Sequence, residues 1–132
     1  MKKLWADKWV AALRSGNYKQ TQGRLKKEDA FCCLGVLCDI VKDKVKGKWV
    51  KTEEASYYAG ADIFAIENGL KNEDEIIPEE VMNLTGLKTP SGHLAKKENL
   101  AGDIDSLVDL NDAQKYNFEQ IADVIEKKWR TL

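Results

Sequence analysis

The chain has 132 residues, 43% hydrophobic and 33% charged, with a net charge of −1. A chain of this length buries roughly two-thirds of its unfolded surface, so a single domain with its own core is expected and a disordered tail is excluded. No apolar run reaches the ~20 residues of a membrane span, and Asp7 and Lys8 interrupt the start before it becomes a secretory leader.

Trp5, Trp9, Ala12 and Leu13 fall at i, i+4, i+7 and i+8, which predicts an amphipathic helix over 3–14. Gly16 then supplies the left-handed residue that closes it. Residues 17–30 are polar and contain Gly23, a loop or short hairpin. Phe31, Leu34, Leu37, Cys38, Val41 and Val45 predict a second, central helix over 31–45, ended by Gly47. Lys48 to Thr52 alternates as a short strand does, Glu53 to Ala59 suits a helical turn, and Asn68-Gly69 marks a turn after Ile63, Phe64 and Ile66. Pro78 fits the first position of a helix reaching Leu84, with Gly86 closing it. Pro90-Ser91-Gly92 reads as a tight turn between strands at 87–89 and 93–96. The last helix has Asn117 as N-cap, Gln120 three residues on, and Phe118, Ile121, Ala122, Ile125 and Trp129 along one face. The fold class is therefore α+β, mostly helical, with short strands or hairpins, in one domain over 1–132.

Charge is unevenly spread. Residues 1–51 hold thirteen basic and five acidic side chains, and residues 52–132 hold eight basic and seventeen acidic ones. Two readings stand: the halves attract each other, within one domain or between copies, or the first half carries an anion site. The segment Arg14 to Lys27 interleaves Tyr18, Gln20 and Gln22 with Lys19, Arg24, Lys26 and Lys27 between glycines. Such a set can stack on a base, read its edge and pair with phosphates, whereas the plain alternative packs Tyr18 inward and leaves the lysines solvated.

Other chemistry is weaker. An odd cysteine count with Cys32 and Cys33 adjacent suits reduced thiols in a cytosol, not a disulfide framework. Both sit in the first turn of a predicted helix, where the dipole lowers a thiol pKa, although a small buried hydrophobe is the commoner role. His93 is the single histidine and completes no zinc site with them. The acidic runs Glu73-Asp74-Glu75, Glu79-Glu80 and Asp103 to Asp112 lack the glycine hinge and terminal glutamate of a calcium loop, and neither GxxxxGK[ST] nor GxGxxG occurs.

Trp9-x-x-Ala12-Leu13-x-Ser15-Gly16-x-Tyr18-x-Gln20-x-x-Gly23-x-Leu25 resembles the opening of a family of small phage and prophage proteins. Phe31-Cys32-Cys33-Leu34-Gly35-Val36-Leu37-Cys38-Asp39, Ile77-Pro78-x-x-Val81, Gly86-Leu87, Leu110-Asn111-Asp112 and Phe118-x-x-Ile121-Ala122-Asp123-x-Ile125-Glu126 extend the likeness over nearly the whole chain. That family often has a glycine and a serine just before the equivalent of Phe118, where Lys115-Tyr116-Asn117 stands here. The resemblance implies an accessory phage protein, a class that includes proteins sequestering the nucleotide second messengers of bacterial defence, commonly as oligomers with cationic pockets.

The resulting expectation is a homo-oligomeric protein of the host cytosol that holds a small phosphorylated nucleotide without turnover. It needs no cofactor or metal, and neither nucleic acid nor membrane is its partner. Arg14, Lys19, Arg24 and Lys26 would take the phosphates, Tyr18 would stack on the base, and Gln20 would read its edge. The alternatives are an inhibitor of a host protein that uses the acidic second half as a nucleic-acid mimic, and a small hydrolase using Cys32 or Cys33.

Overall fold

A computed structural model describes residues 1–51, 61–66, 72–73, 75–94 and 105–132, the side chains of 72–73 excepted. In chain order the elements are α1 (Lys3–Arg14), β1 (Lys19–Gln20), β2 (Lys26–Lys27), β3 (Ala30–Phe31), α2 (Cys33–Val41), β4 (Gly47–Lys51), β5 (Ala61–Ile66), β6 (Asn72–Glu73), α3 (Glu79–Thr85), α4 (Leu107–Asp112) and α5 (Phe118–Lys128). The strands form one mixed sheet in the order β1-β3-β2-β5-β4, with β6 also on β5. The chain is α+β, as its periodicities predict, and helices outweigh strands among the described residues.

α2 is the centre. Its residues from Cys33 to Cys38 are all buried, and it packs on α1, α4 and β3. α1 turns Trp5, Ala6, Trp9, Val10 and Leu13 inward, and the indole Nε1–H of Trp9 donates to Cys33 O at 2.9 Å. Gly16 is left-handed at φ 76°, the expected close of α1. α5 carries the expected capping box between Asn117 and Gln120 and packs on α1.

Three boundaries differ from the sequence reading. α2 starts two residues late because Phe31 is claimed by the sheet, opposite Lys26 and Gln20, leaving Cys32 to cap α2 by accepting from Gly35 N–H at 3.4 Å. It also ends early, at Val41, and the left-handed residue of the following turn is Lys46 (φ 53°). Gly47 opens β4 instead of stopping a helix: a Cβ there would lie 2.3 Å from the Phe64 ring. Pro78 caps α3 from outside, and Gly86 closes it at φ 75°.

The Pro90-Ser91-Gly92 turn is present, with Gly92 N–H donating to Thr89 O at 3.2 Å, but no strand precedes it and His93 makes only a single bridge with Ser106. The expected helical turn at 53–59, the Asn68-Gly69 turn and residues 95–96 lie outside the described residues. α4 is unforeseen. Ser106 Oγ caps the helix by accepting from Asp109 N–H at 3.2 Å and donates to the Asp109 carboxylate at 2.8 Å, so a residue of the acidic run supports a helix start. No described helix is long and apolar enough to cross a membrane.

Candidate functional site

The six groups singled out in the sequence do not converge on one site, although Tyr18 and Lys26 both pack against the Phe31 ring. Arg14, at the end of α1, reaches α5: its Nη2 donates to Asp123 Oδ1 at 2.6 Å and to Glu126 Oε2 at 2.9 Å, and Glu119 lies 3.7 Å from its Nε. The hydrogen bonds to Glu126 and Asp123 hold the guanidinium charged more firmly than usual. Arg24 pairs with Glu75, and its Nη1 also donates to Gly23 O at 3.0 Å. The Lys26 ammonium lies 2.9 Å from Asp62 Oδ2, in ionic contact without hydrogen-bond alignment, and sits over the Phe31 and Trp49 rings at 5.5 and 5.7 Å. In each of these pairs the base comes from the first half of the chain and the acid from the second. Part of the charge asymmetry is thus intramolecular attraction.

Tyr18 packs inward. Its ring meets Phe31 edge-on at 5.1 Å, and edge-on contacts continue from Phe31 to Trp49 and from Trp49 to Phe64. Its hydroxyl donates to Asp39 Oδ2 at 2.7 Å, while Asp39 Oδ1 receives Lys42 Nζ at 2.9 Å and Trp49 Nε1–H at 3.0 Å. Burial and the neighbouring carboxylate push the phenol above its ordinary range. Burial works against ionisation of Asp39, but the bonds from Lys42, Tyr18 and Trp49 outweigh it and hold this carboxyl below its usual range.

Gln20 belongs to a buried amide network. Its Nε2 donates to Asn111 Oδ1 at 2.8 Å and to Tyr116 O at 2.7 Å. Fully buried Asn111 also accepts from Cys33 N–H at 3.2 Å and donates through Nδ2 to Thr21 O at 2.9 Å and to Asp112 Oδ1 at 2.7 Å. Turning the amide over would set oxygen against oxygen and donor against donor, so its orientation is fixed. The glutamine, cysteine and Leu-Asn-Asp motifs quoted above therefore meet at one structural joint.

The thiols differ from the sequence expectation. Desolvation pushes Cys32 up to about 12, past any lowering from the amides of its helix start, and raises Cys33 and Cys38 well above their ordinary value. A thiolate nucleophile at neutral pH is disfavoured at all three. Of the acidic candidates, Asp109 is the first-turn partner of the Ser106 cap of α4 and Glu75 holds Arg24; Asp74 and Asp103 lie outside the described residues.

Lys19 remains, and register gives it a companion. Lys19 on β1 and Lys27 on β2 are both opposite Ala30 on β3, and Lys27 is also opposite Ala61 on β5. Residues directly opposite share a face, so Lys19, Ala30, Lys27 and Ala61 form a row across the side of the sheet away from the Phe31, Trp49 and Phe64 rings. Two strand spacings put the two lysine Cα atoms about 10 Å apart. Both lysines are exposed and neither is in an ion pair among the described residues. The strands are two residues long, so no alternation marks such a face in the sequence, and without the register nothing joins position 27 to position 19.

Neither a curated protein nor a solved structure matches the chain. One family does, over residues 1–129, and it is described as "Domain of unknown function (DUF8296)". The chain belongs to that family.

Proposed function

We propose that this protein is a non-catalytic binding protein for a small phosphorylated nucleotide, held on the outer face of the sheet by Lys19 and Lys27. The observation that carries the reading is the division of the loop's cations: Arg14, Arg24 and Lys26 are committed to carboxylates, whereas Lys19 and Lys27 flank Ala30 with their ammonium groups exposed. Long flexible ammoniums about 10 Å apart at their Cα atoms can close on one phosphate or span two, and the small side chain of Ala30 between them leaves room for the ligand. Within this proposal the family resemblance supplies the setting: a phage or prophage protein in a bacterial cytosol, acting as an oligomer that withholds a defence messenger. The nucleic-acid-mimic reading is less supported, because Glu75, Asp123 and Glu126 are occupied by the protein's own arginines.

The test is incubation with a panel of cyclic nucleotides and ADP-ribose derivatives, followed by thermal-shift measurement and by denaturation and chromatography. The proposal expects a raised melting temperature with one class of nucleotide and quantitative recovery of that nucleotide intact. Chemical conversion of the nucleotide, or no shift with any of the panel, overturns it.

A further inference from the structure

A cationic concavity lies at the turn from α2 into β4, and it does not depend on the sheet-face reading. The chain leaves α2 in a tight wrap: Lys44 N–H and Val45 N–H donate to Val41 O at 2.9 and 3.2 Å, Gly47 N–H donates to Lys42 O at 2.8 Å, and Lys46 is left-handed at φ 53°. The wrap does two things. It occupies the Val41 and Lys42 carbonyls, groups at the end of a helix that otherwise repel an anion. It also brings Lys42, Lys46 and Lys48 around a single hollow of about 350 Å³, completed by Asp43 and Gly47.

The three ammoniums are not equivalent. Lys42 is tied to Asp39 at 2.9 Å, and Asp39 is anchored in turn by Tyr18 and Trp49, so this lysine stem is fixed at the edge of the hollow. Lys46 and Lys48 are exposed and form no ion pair among the described residues. Gly47 lies between them as part of the lining, held close to the sheet by the Phe64 ring beneath its Cα.

We propose that this hollow is an anion site for a phosphate group, with Lys46 and Lys48 as its direct ion-pair partners and Lys42 as a third charge positioned by Asp39. Three cations against one acid give the lining a net positive charge. The gathering of its charges within residues 42–48 around one open hollow favours a compact phosphate or diphosphate over an extended polyanion. By register the site stands apart from the other: Lys48 is opposite Ala65, four residues along β5 from the Ala61 that faces Lys27. Inorganic phosphate and the phosphate of a small phosphorylated metabolite share this chemistry.

The experiment is an amide-resolved NMR titration of the whole chain at constant ionic strength with inorganic phosphate, pyrophosphate and a nucleoside monophosphate. It is run on the parent, on Lys46→Gln, on Lys48→Gln, on both together and on Lys19→Ala/Lys27→Ala. Saturable shifts centred on the Gly47 amide are expected, weakened roughly tenfold or more by each glutamine at the site and unchanged in the Lys19/Lys27 variant. Tighter binding of the nucleotide than of free phosphate identifies a metabolite as the source, and equal binding identifies the free ion. Shifts that do not saturate, or that survive in Lys46→Gln/Lys48→Gln, overturn the proposal. Because all the substituted side chains are exposed, loss of binding in a folded variant reads on the site itself.

Discussion

Replacing Asn111 by Ala tests whether Gln20 is a joint of the fold or a free reader of ligand. Asn111 is fully buried, and its side chain serves Gln20 Nε2, Cys33 N–H, Thr21 O and Asp112 Oδ1. Truncation leaves the buried Cys33 N–H without its partner and Thr21 O short of its donor, while Gln20 keeps Tyr116 O and half-exposed Asp112 is rehydrated. A buried polar group left unmatched costs about 1–3 kcal/mol, so the variant should lose about 2–5 kcal/mol. Asn111→Leu should lose at least as much, because it makes the same orphans and leaves no room for a replacement water. Urea unfolding followed by tryptophan fluorescence gives the value, with an unchanged m-value showing that the transition is still two-state. A double-mutant cycle with Gln20→Ala should return a coupling of about 1 kcal/mol or more. A cost below about 1 kcal/mol for Asn111→Ala, or no coupling to Gln20, refutes the joint.

Three further outcomes follow from the packing and the backbone. Leu37→Ala, at a fully buried position of α2, should cost about 2–5 kcal/mol in the same urea assay, and a loss within about 0.5 kcal/mol would contradict its placement. Lys115 is held at φ 53°, so Lys115→Gly should raise stability by about 1 kcal/mol, read as a higher urea midpoint. For the thiols, Cys32 ionises near 9.0 when unfolded but only at about 12 when folded, so its contribution is intact below pH 9 and is lost between the two values. Stability should therefore fall above pH 9 by up to ~1.4 kcal/mol per pH unit for this thiol. Cys33, Cys38 and Tyr18 act in the same direction. Cys32→Ala should show a shallower fall, and rapid thiol labelling of the folded parent at pH 8 would contradict the burial.

Elements governed by local signals were legible. The tryptophan stripe of α1, the left-handed Gly16 and Gly86, the alternation in β4 and the Asn117–Gln120 box of α5 are written within a few residues of where they act. Elements governed by distant partners were not. Phe31 continues the apolar period of α2, yet pairing with Lys26 takes it into the sheet; Gly47 looks like a helix stop, yet Phe64 across the strand is what excludes a side chain there. The strands beside the site are two residues long, too short for alternation to register. The same limit governed the site. Charge asymmetry was visible, but the carboxylates that absorb Arg14 and Arg24 lie far downstream, and so does Asn111, which absorbs Gln20. Lys27 stood in the sequence as one more loop cation until register set it beside Lys19.

The most direct test of the binding claim is calorimetric titration of the nucleotide that gives the largest thermal shift into three proteins: the parent, Lys19→Ala/Lys27→Ala and Arg24→Ala. Each lost charge-assisted contact to phosphate is worth about 1.5–3 kcal/mol, so the lysine pair should lower affinity at least ~100-fold. Arg24→Ala, which breaks the pair with Glu75, should leave affinity within a few-fold of the parent. Unchanged affinity in the lysine pair, with binding lost in Arg24→Ala, would contradict the sheet-face site and return the phosphate contacts to the loop.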